Sequence, residues 1–347
     1  MVDSIADGRI GLPYPNGWFA VAFADEVKPG QVVAKRLCGR DLAVWRNEAG
    51  EVRVHDAYCM HLGAHLGIGG WVNKDSLVCP FHGWEYGADG RCVRIPYEKR
   101  PMKTGVGTWA AREQGQVILA WYDEAGRPPS WEMPELDWTG FATRTREWTL
   151  NSHAQEICEN TADGAHFRYI HKFPNVMDVE ARPDGNSIWF ELDIRDEPTA
   201  ERTAGEPVPF KIKGKADSNV TAVHGPGLAF NEIHANGRIM RNQLYVTHTD
   251  LETVVLRGVH SLAFEDDRDA ETVIETTKGW AAFDAWDDDI PIWTHKIYRP
   301  KPFATHPSEV AIVTYRKWYR RWYSDQPEVE ARAAAAAAAT TGPPAFS

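Results

Sequence analysis

Four residues in two short segments constrain this chain more than any other feature. Cys59-Met60-His61 is followed, after seventeen intervening residues, by Cys79-Pro80-Phe81-His82. Two loops that each offer one thiolate and one imidazole suit a 2Fe-2S cluster in which one iron takes both thiolates and the other both imidazoles. Replacing anionic thiolate by neutral imidazole raises the reduction potential. A structural zinc site draws on the same four ligand types, but its usual spacings do not mix Cys with His on each loop. The flanks Leu62-Gly63-Ala64-His65-Leu66-Gly67 and Gly83-Trp84-Glu85-Tyr86 are loops whose small residues let backbone amides approach bridging sulfides. His65 falls outside the ligand pattern and reads as a polar loop residue, and Cys92 reads as structural.

The scaffold predicted around these loops is a small antiparallel β sandwich. Its strand segments, rich in β-branched and aromatic residues, are Trp18 to Phe23, Gln31 to Leu37, Leu42 to Trp45, Val52 to His55, Leu77 to Cys79 and Val117 to Tyr122. Pro29-Gly30 and Glu48-Ala49-Gly50 supply turns short enough for hairpins. Turn formers and breakers collect in Asp123-Glu124-Ala125-Gly126-Arg127-Pro128-Pro129, so one domain is expected over residues 16–125 and a second over 126–330. The second reads as mixed α+β. Strands are predicted at Arg146 to Asn151, Ser187 to Ile194, Gln243 to Thr247 and Thr253 to Leu262, and helices at Gln155 to Tyr169 and Asp269 to Ala285. Residues 331–347, with their alanine run, are expected to form a mobile tail.

Acidic residues outnumber basic ones, 49 to 38, for a formal charge of −11. A broad positive surface for nucleic acid is therefore not expected. No apolar run is long enough for a membrane span, and the start Met1-Val2-Asp3-Ser4-Ile5-Ala6 lacks the pattern of a secretory leader, so a cytoplasmic setting is expected.

A second constellation lies in Glu156-Ile157-Cys158-Glu159-Asn160-Thr161-Ala162-Asp163-Gly164-Ala165-His166-Phe167-Arg168-Tyr169-Ile170-His171. A five-residue step on an ideal helix turns a side chain by roughly 140°, so His166 and His171 share a face only if the helix ends near Tyr169. Without the upstream Cys/His loops, each histidine is better read as a hydrogen-bonded core or surface imidazole. With a carboxylate they would complete the facial triad of non-haem iron oxygenases. Asp163, three residues before His166, is close enough on a helix to share its face.

The stretch from Cys59 to Tyr97 resembles the Rieske domain of ring- and steroid-hydroxylating oxygenases. The likeness runs from Gly17-Trp18-Phe19 to Arg316-Lys317-Trp318-Tyr319-Arg320-Arg321-Trp322-Tyr323. Among subgroups it is most similar to the 3-ketosteroid 9α-hydroxylase and cholesterol 7-desaturase type. The resemblance implies an N-terminal antiparallel β Rieske domain and a C-terminal helix-grip-like catalytic domain with an antiparallel sheet. It implies Cys59, His61, Cys79 and His82 as cluster ligands and His166, His171 and an acid as ligands of a mononuclear Fe(II). Asp289, four residues before Trp293, matches the family's acid, with Asp288 as the second choice. Asp163 would link the iron histidine to a Rieske histidine of the neighbouring subunit in a homotrimer, and Asn160 matches a position near the iron.

The resemblance further implies an O2-using hydroxylase acting on a steroid-like or other polycyclic apolar substrate. Its electrons would come from a flavin-dependent NAD(P)H reductase, directly or through a ferredoxin. No Gly-rich dinucleotide fingerprint follows a strand, which puts nicotinamide and flavin on that partner. Two alternatives stand beside this: a Rieske oxygenase for an aromatic acid or natural product, acting by hydroxylation, desaturation or O-demethylation, and a Rieske electron carrier without the second iron. Gly225-Pro226-Gly227-Leu228-Ala229-Phe230-Asn231 is a candidate pocket wall, although a simple turn into a buried strand accounts for it better.

Overall fold

The computed structural model describes residues 9–171, 176–194, 218–235, 238–266, 269–270, 272–273, 281–302 and 309–324. The N-terminal part contains β1 (Gly17–Phe23), β2 (Val32–Leu37), β3 (Arg40–Arg46), β4 (Val52–Asp56), β5 (Trp71–Asn73), β6 (Ser76–Val78), β7 (Glu85–Gly87), β8 (Cys92–Arg94), β9 (Thr108–Trp109), β10 (Ala111–Gln114) and β11 (Val117–Tyr122). They form three antiparallel sheets, ordered β1-β11-β10, β2-β3-β4-β9 and β5-β6-β7-β8.

β1 and β11 are buried along their whole length because each has a core on both faces. Phe19, Val21, Ile118, Ala120 and Tyr122 pack into the N-terminal core, while Trp18, Ala20, Leu119 and Trp121 pack into the core of the second half. A strand buried on both sides reads as an unbroken apolar run rather than an alternating one. The hairpin expected at Pro29-Gly30 is therefore not formed. Gly30 does turn the chain, at φ 79°, but β1 pairs with β11 and β2 with β3. The second expected hairpin is present, joining β3 and β4 around Gly50.

The C-terminal part is built on β12 (Phe141–Asn151), β13 (Val176–Asp184), β14 (Ser187–Ile194), β15 (Ser218–His224), β16 (Leu228–Ala235), β17 (Arg238–Asp250) and β18 (Thr253–Ala263). These make one seven-stranded antiparallel sheet, ordered β12-β18-β17-β16-β15-β14-β13. Helices α1 (Ala154–Cys158), α2 (Gly164–Tyr169), α3 (Ala281–His295) and α4 (Val310–Tyr319) accompany it among the described residues. Tyr315, Trp318, Tyr319 and Trp322 join Trp293 and the sheet residues Leu244, Val246 and Leu256 in the largest core cluster.

Two helix expectations are corrected. The helix read over Gln155–Tyr169 is split into α1, a 3-10 turn at Glu159–Ala162, and α2, because Asp163 is extended (φ −101°, ψ 95°) and caps the second piece. The helix read over Asp269–Ala285 is described only in part, and the segment bearing the late acids is α3, which runs ten residues further, to His295. The Ala-rich tail lies outside the described residues, as does the start of the chain. Among the described residues no helix is long and apolar enough to cross a membrane.

Candidate metal centres

The first two ligand loops, β4 to β5 and β6 to β7, repeat one construction. In each, a glycine four residues after the cysteine takes a positive φ (Gly63 74°, Gly83 69°) and donates its N–H to the cysteine carbonyl, at 2.9 and 3.1 Å. The cysteine N–H in turn donates to the residue five positions on, Ala64 or Trp84, at 2.9 and 2.8 Å. Only glycine enters that left-handed region without a steric penalty, which is why both loops carry one at the same offset.

The paired turns place Cys59 and Cys79 in the interior and His61 and His82 half-buried beside them, the imidazole centroids 4.7 Å apart. Trp84 stacks on His61 at 4.7 Å with planes 5° apart, fixing the ring. His61 Nδ1 is buried with no hydrogen-bond partner, a position that is unfavourable for a polar atom and suited to a metal ligand. Burial pushes the Cys79 thiol up in pKa, the Phe81 and His82 amides pull it down, and the adjacent Cys59 pushes it up again. A bound iron would relieve that opposition by stabilising both thiolates. The residues thus fit the 2Fe-2S group.

Tyr86 is a feature the sequence did not single out. Its hydroxyl oxygen accepts from the Met60 N–H at 3.1 Å and lies 3.0 Å from Cys59 Sγ. With its oxygen so engaged, the O–H points at the sulfur, where a thiolate accepts it. Burial and the Cys59 sulfur both raise the Tyr86 pKa, so the hydroxyl stays a donor.

The second site is assembled from α2 and α3. Asp163 is the N-cap of α2, its Oδ1 accepting from Ala165 N at 2.9 Å and His166 N at 3.2 Å. Its backbone carbonyl, not its side chain, receives His166 Nδ1 at 2.6 Å. A carbonyl only accepts, so Nδ1 carries the proton and Nε2 is left as the ligand atom. Burial lowers the His166 pKa, opposed chiefly by Asp289, and so favours the neutral imidazole that binds metal.

α2 ends at Tyr169, and the His171 N–H closes back on the His166 carbonyl at 3.4 Å. That ending resolves the 140° mismatch: the two rings lie 5.0 Å apart at 79°. His171 Nε2 is 3.2 Å from Asp289 Oδ2, and one ligand atom from each of His166, His171 and Asp289 lies within 4.8 Å of the others. Two imidazoles and one carboxylate at this separation fit a divalent iron and leave coordination positions open.

The three consecutive acids of α3 have three different surroundings. Asp287 is held to the sheet by Arg146, at 2.8 and 3.0 Å, and by Trp148 Nε1 at 2.8 Å; Asp288 is exposed; Asp289 is buried beside His171. Asn160 lies in the 3-10 turn, its carbonyl accepting from Asp163 N at 3.1 Å. His65 accepts from Gly67 N, as a loop residue would, and Cys92 is buried. Gly225 to Gly227 form the β15–β16 turn, pinned by Tyr319 Oη donating to the Pro226 carbonyl at 2.8 Å, so the turn account of that segment holds.

A buried ion cluster also escaped the sequence. Glu156, fully buried, lies 3.0 Å from Lys296 Nζ and 3.7 Å from Arg316, and Arg316 holds Glu159 with two contacts of 2.5 and 2.8 Å. It ties the segment leading into α2 to the residue after α3 and to α4.

Residues 17–111 match the Rieske [2Fe-2S] domain model and residues 120–323 the 3-ketosteroid 9alpha-hydroxylase C-terminal domain model. The cholesterol 7-desaturase of Caenorhabditis elegans is 40% identical over 340 residues, covering 90% of this chain and 77% of its own. That of Xenopus laevis is 32% identical over 344 residues, covering 92% and 74%. The oxygenase component of the 3-ketosteroid-9-alpha-monooxygenase of Rhodococcus rhodochrous is 27% identical over 346 residues, covering 94% and 85%. Dicamba monooxygenase bound to dicamba shares the fold with a TM-score of 0.67 at 18% identity, over 93% of this chain and all of its own. With the cluster loops in its first half and a C-terminal domain of that type in its second, this chain belongs to the Rieske oxygenases, oxidoreductases that use O2, in the branch with a 3-ketosteroid 9α-hydroxylase C-terminal domain.

Proposed function

We propose that this chain is the oxygenase component of a steroid-oxidising enzyme, with Cys59, His61, Cys79 and His82 holding the cluster and His166, His171 and Asp289 holding one Fe(II). The observation that carries it is the meeting of those last three side chains within 4.8 Å, in a chain similar along about nine-tenths of its length to proteins named for cholesterol and 3-ketosteroid oxidation. A bound iron would supply dioxygen activation, fed by two electrons delivered one at a time through the cluster. Hydroxylation consumes the substrate C–H, O2, two electrons and two protons and yields the alcohol and one water. Desaturation takes two hydrogens from the substrate and yields two waters.

The protein's own contribution is to orient and to insulate. The Asp163 carbonyl sets the His166 tautomer, and burial keeps Asp289 and His171 in contact. Residues 16–125 serve as the electron-relay domain and residues 126–330 as the catalytic domain. Electrons come from a flavin-dependent NAD(P)H reductase, with or without a ferredoxin, since a one-electron cluster has no hydride chemistry of its own. Met60, Leu62 and Phe81 are exposed around the cluster histidines. That apolar collar supports a homotrimer in which the Asp163 side chain of one subunit joins its iron site to a neighbour's cluster.

The test is iron and acid-labile sulfide per chain, the electron paramagnetic resonance spectrum of the reduced protein, and reductase-driven turnover of a sterol and a 3-ketosteroid. About three irons with two sulfides, a Rieske-type signal and an oxidised steroid product are expected. Zinc without sulfide, or two irons with no oxygen consumption, would overturn the proposal.

A further inference from the structure

The chain carries a net charge of −11, yet one stretch beside the cluster loops reverses that sign. It holds five basic residues, Arg91, Arg94, Lys99, Arg100 and Lys103, against the single acid Glu98, and all six are exposed. Arg91 and Arg94 are paired with Asp89 and Glu85, at 3.4 and 2.5 Å. No ion pair reaches Lys99, Arg100 or Lys103 among the described residues. Val93, Tyr97 and Met102 stand exposed in the same stretch. A surface that mixes free cations with large apolar side chains, on an otherwise acidic protein, has the make-up of a contact for a macromolecule.

This stretch is built onto the cluster loops. Ile95 and Val106 sink into the core that also holds Cys59, Cys79 and Trp84, and the Cys92 N–H donates to the Thr104 carbonyl at 2.8 Å, closing the loop at its base. Pro96 lies against Gly83, where a Cβ would come within 3.0 Å of the proline ring. Tyr97 Oη accepts the Trp84 Nε1–H at 2.7 Å, and the Trp84 indole is the ring stacked on His61. The exposed phenol of Tyr97 therefore stands two contacts from a cluster ligand, one hydrogen bond and one ring stack. His82 has a different exposed neighbour, the Phe81 ring at 3.8 Å, which belongs to the apolar collar given above to the neighbouring subunit. The two imidazoles thus lead to two different exposed side chains.

We infer that residues 91–103 form the docking surface of the electron donor, a one-electron carrier protein with an acidic face, and that the electron reaches His61 by way of Tyr97 and Trp84. This rests on the oxygenase reading proposed above. The step is an outer-sphere transfer: the reduced donor gives up one electron, the cluster gains it, and no bond forms or breaks. Tunnelling falls steeply across open space and less steeply through hydrogen-bonded or stacked groups, so Tyr97 and Trp84 act as a bridge and keep their own oxidation state. Lys99, Arg100 and Lys103 attract an acidic face over about a Debye length, roughly 10 Å at 0.1 M salt. Val93, Tyr97 and Met102 supply the apolar contact that fixes its orientation. Free cations attract an anionic lipid surface as well, but the Tyr97 hydroxyl is committed to the indole over a cluster ligand, a contact that membrane binding does not use.

The test uses the full-length holoenzyme, with iron and sulfide counted in every variant and reduction of the cluster followed by its visible absorbance in stopped flow. Two reductants are compared: a pre-reduced acidic [2Fe-2S] ferredoxin of the plant type, and photoreduced deazaflavin, a small molecule that needs no docking face. Wild-type reduction by the ferredoxin is expected to slow as salt rises. The triple variant Lys99→Glu, Arg100→Glu, Lys103→Glu is expected to lose about tenfold or more of that rate at low salt, and to lose its salt dependence, while deazaflavin reduces it as fast as the wild type. Tyr97→Phe, which keeps the ring and drops the hydrogen bond, is expected to lower the limiting rate at saturating ferredoxin with apparent affinity and midpoint potential unchanged; an unchanged limiting rate overturns the route. Equal ferredoxin rates in the triple variant and the wild type, or a wild-type cluster that accepts electrons from deazaflavin but not from ferredoxin, overturns the docking surface while leaving the oxygenase proposal standing. The docking surface falls equally if the triple substitution changes the oligomeric state, which gives the face to a second copy. It falls too if the substitution abolishes binding to phosphatidylserine vesicles without slowing ferredoxin, which gives the face to a membrane. A wild-type chain that holds no cluster overturns the oxygenase proposal and this inference with it.

Discussion

Tyr86 acts on the potential of a cluster bound by these loops through Cys59. Its hydroxyl, 3.0 Å from Cys59 Sγ, withdraws electron density from a sulfur that becomes more negative on reduction, and so stabilises the reduced state. A hydrogen bond to a charged group contributes about 1.5–3 kcal/mol, which for a one-electron couple corresponds to roughly 60–130 mV. Tyr86→Phe is accordingly expected to lower the midpoint by tens of millivolts or more in a redox titration followed by paramagnetic resonance; an unmoved midpoint would show that the hydroxyl does not address the sulfur. Asp163 separates differently. Its carbonyl holds His166 whatever the side chain is, so Asp163→Ala is expected to keep both metals and to lose only about 1 kcal/mol from the missing helix cap. Product formation should nevertheless fall by two orders of magnitude or more, while the pre-reduced cluster remains reduced. Turnover near the wild-type rate with both metals present would remove Asp163 from the electron path.

Among elements, the candidate iron site depends on two helices from distant parts of the chain staying in register. The Glu156–Lys296–Arg316–Glu159 cluster is the clamp between them. Removing Arg316 leaves buried carboxylates short of a counter-charge, at a cost of about 3–5 kcal/mol. Arg316→Met is expected to lower the thermal midpoint and to release the mononuclear iron while sulfide content stays near two per chain. Equal loss of iron from both centres would indicate general unfolding instead. This cluster was illegible beforehand because Glu159 and Arg316 are 157 residues apart, and nothing in a linear pattern couples them. The four candidate cluster ligands stand out in the sequence because both loops are local, each closed on its own glycine. His166 and His171 were legible in kind but not in form. Apolar spacing pointed to a continuous helix over Gln155–Tyr169, while Asp163-Gly164, a capping residue before a flexible one, marked the break that brings the histidines together. The missed strand partner of β1 has a similar origin: turn chemistry at Pro29-Gly30 fixes a reversal of direction, not which strand lies alongside.

At the scale of the whole molecule, several imidazoles are held neutral in the interior, and they set its acid limit. Burial lowers His153 and His224 to about 4, and His248, beside His153, well below its ordinary value. Because the folded protein binds fewer protons than the unfolded chain between about pH 4 and 6.5, stability is full above that window and falls as pH drops through it, each such histidine accounting for on the order of 3 kcal/mol. Urea midpoints measured from pH 7.5 down to 4.5 should decline progressively, and His153→Gln, which cannot titrate, should flatten the decline. The shared strands β1 and β11 carry a different implication. Each turns one set of side chains to the cluster half and the alternate set to the iron half, so neither half owns its own boundary. Cut near residue 125, the first piece would expose Trp18, Ala20, Leu119 and Trp121 to water and become prone to aggregate. A Rieske half grafted from a relative is therefore expected to fold into this chain only when its β1 and β11 present an inner face that matches the core of the second half.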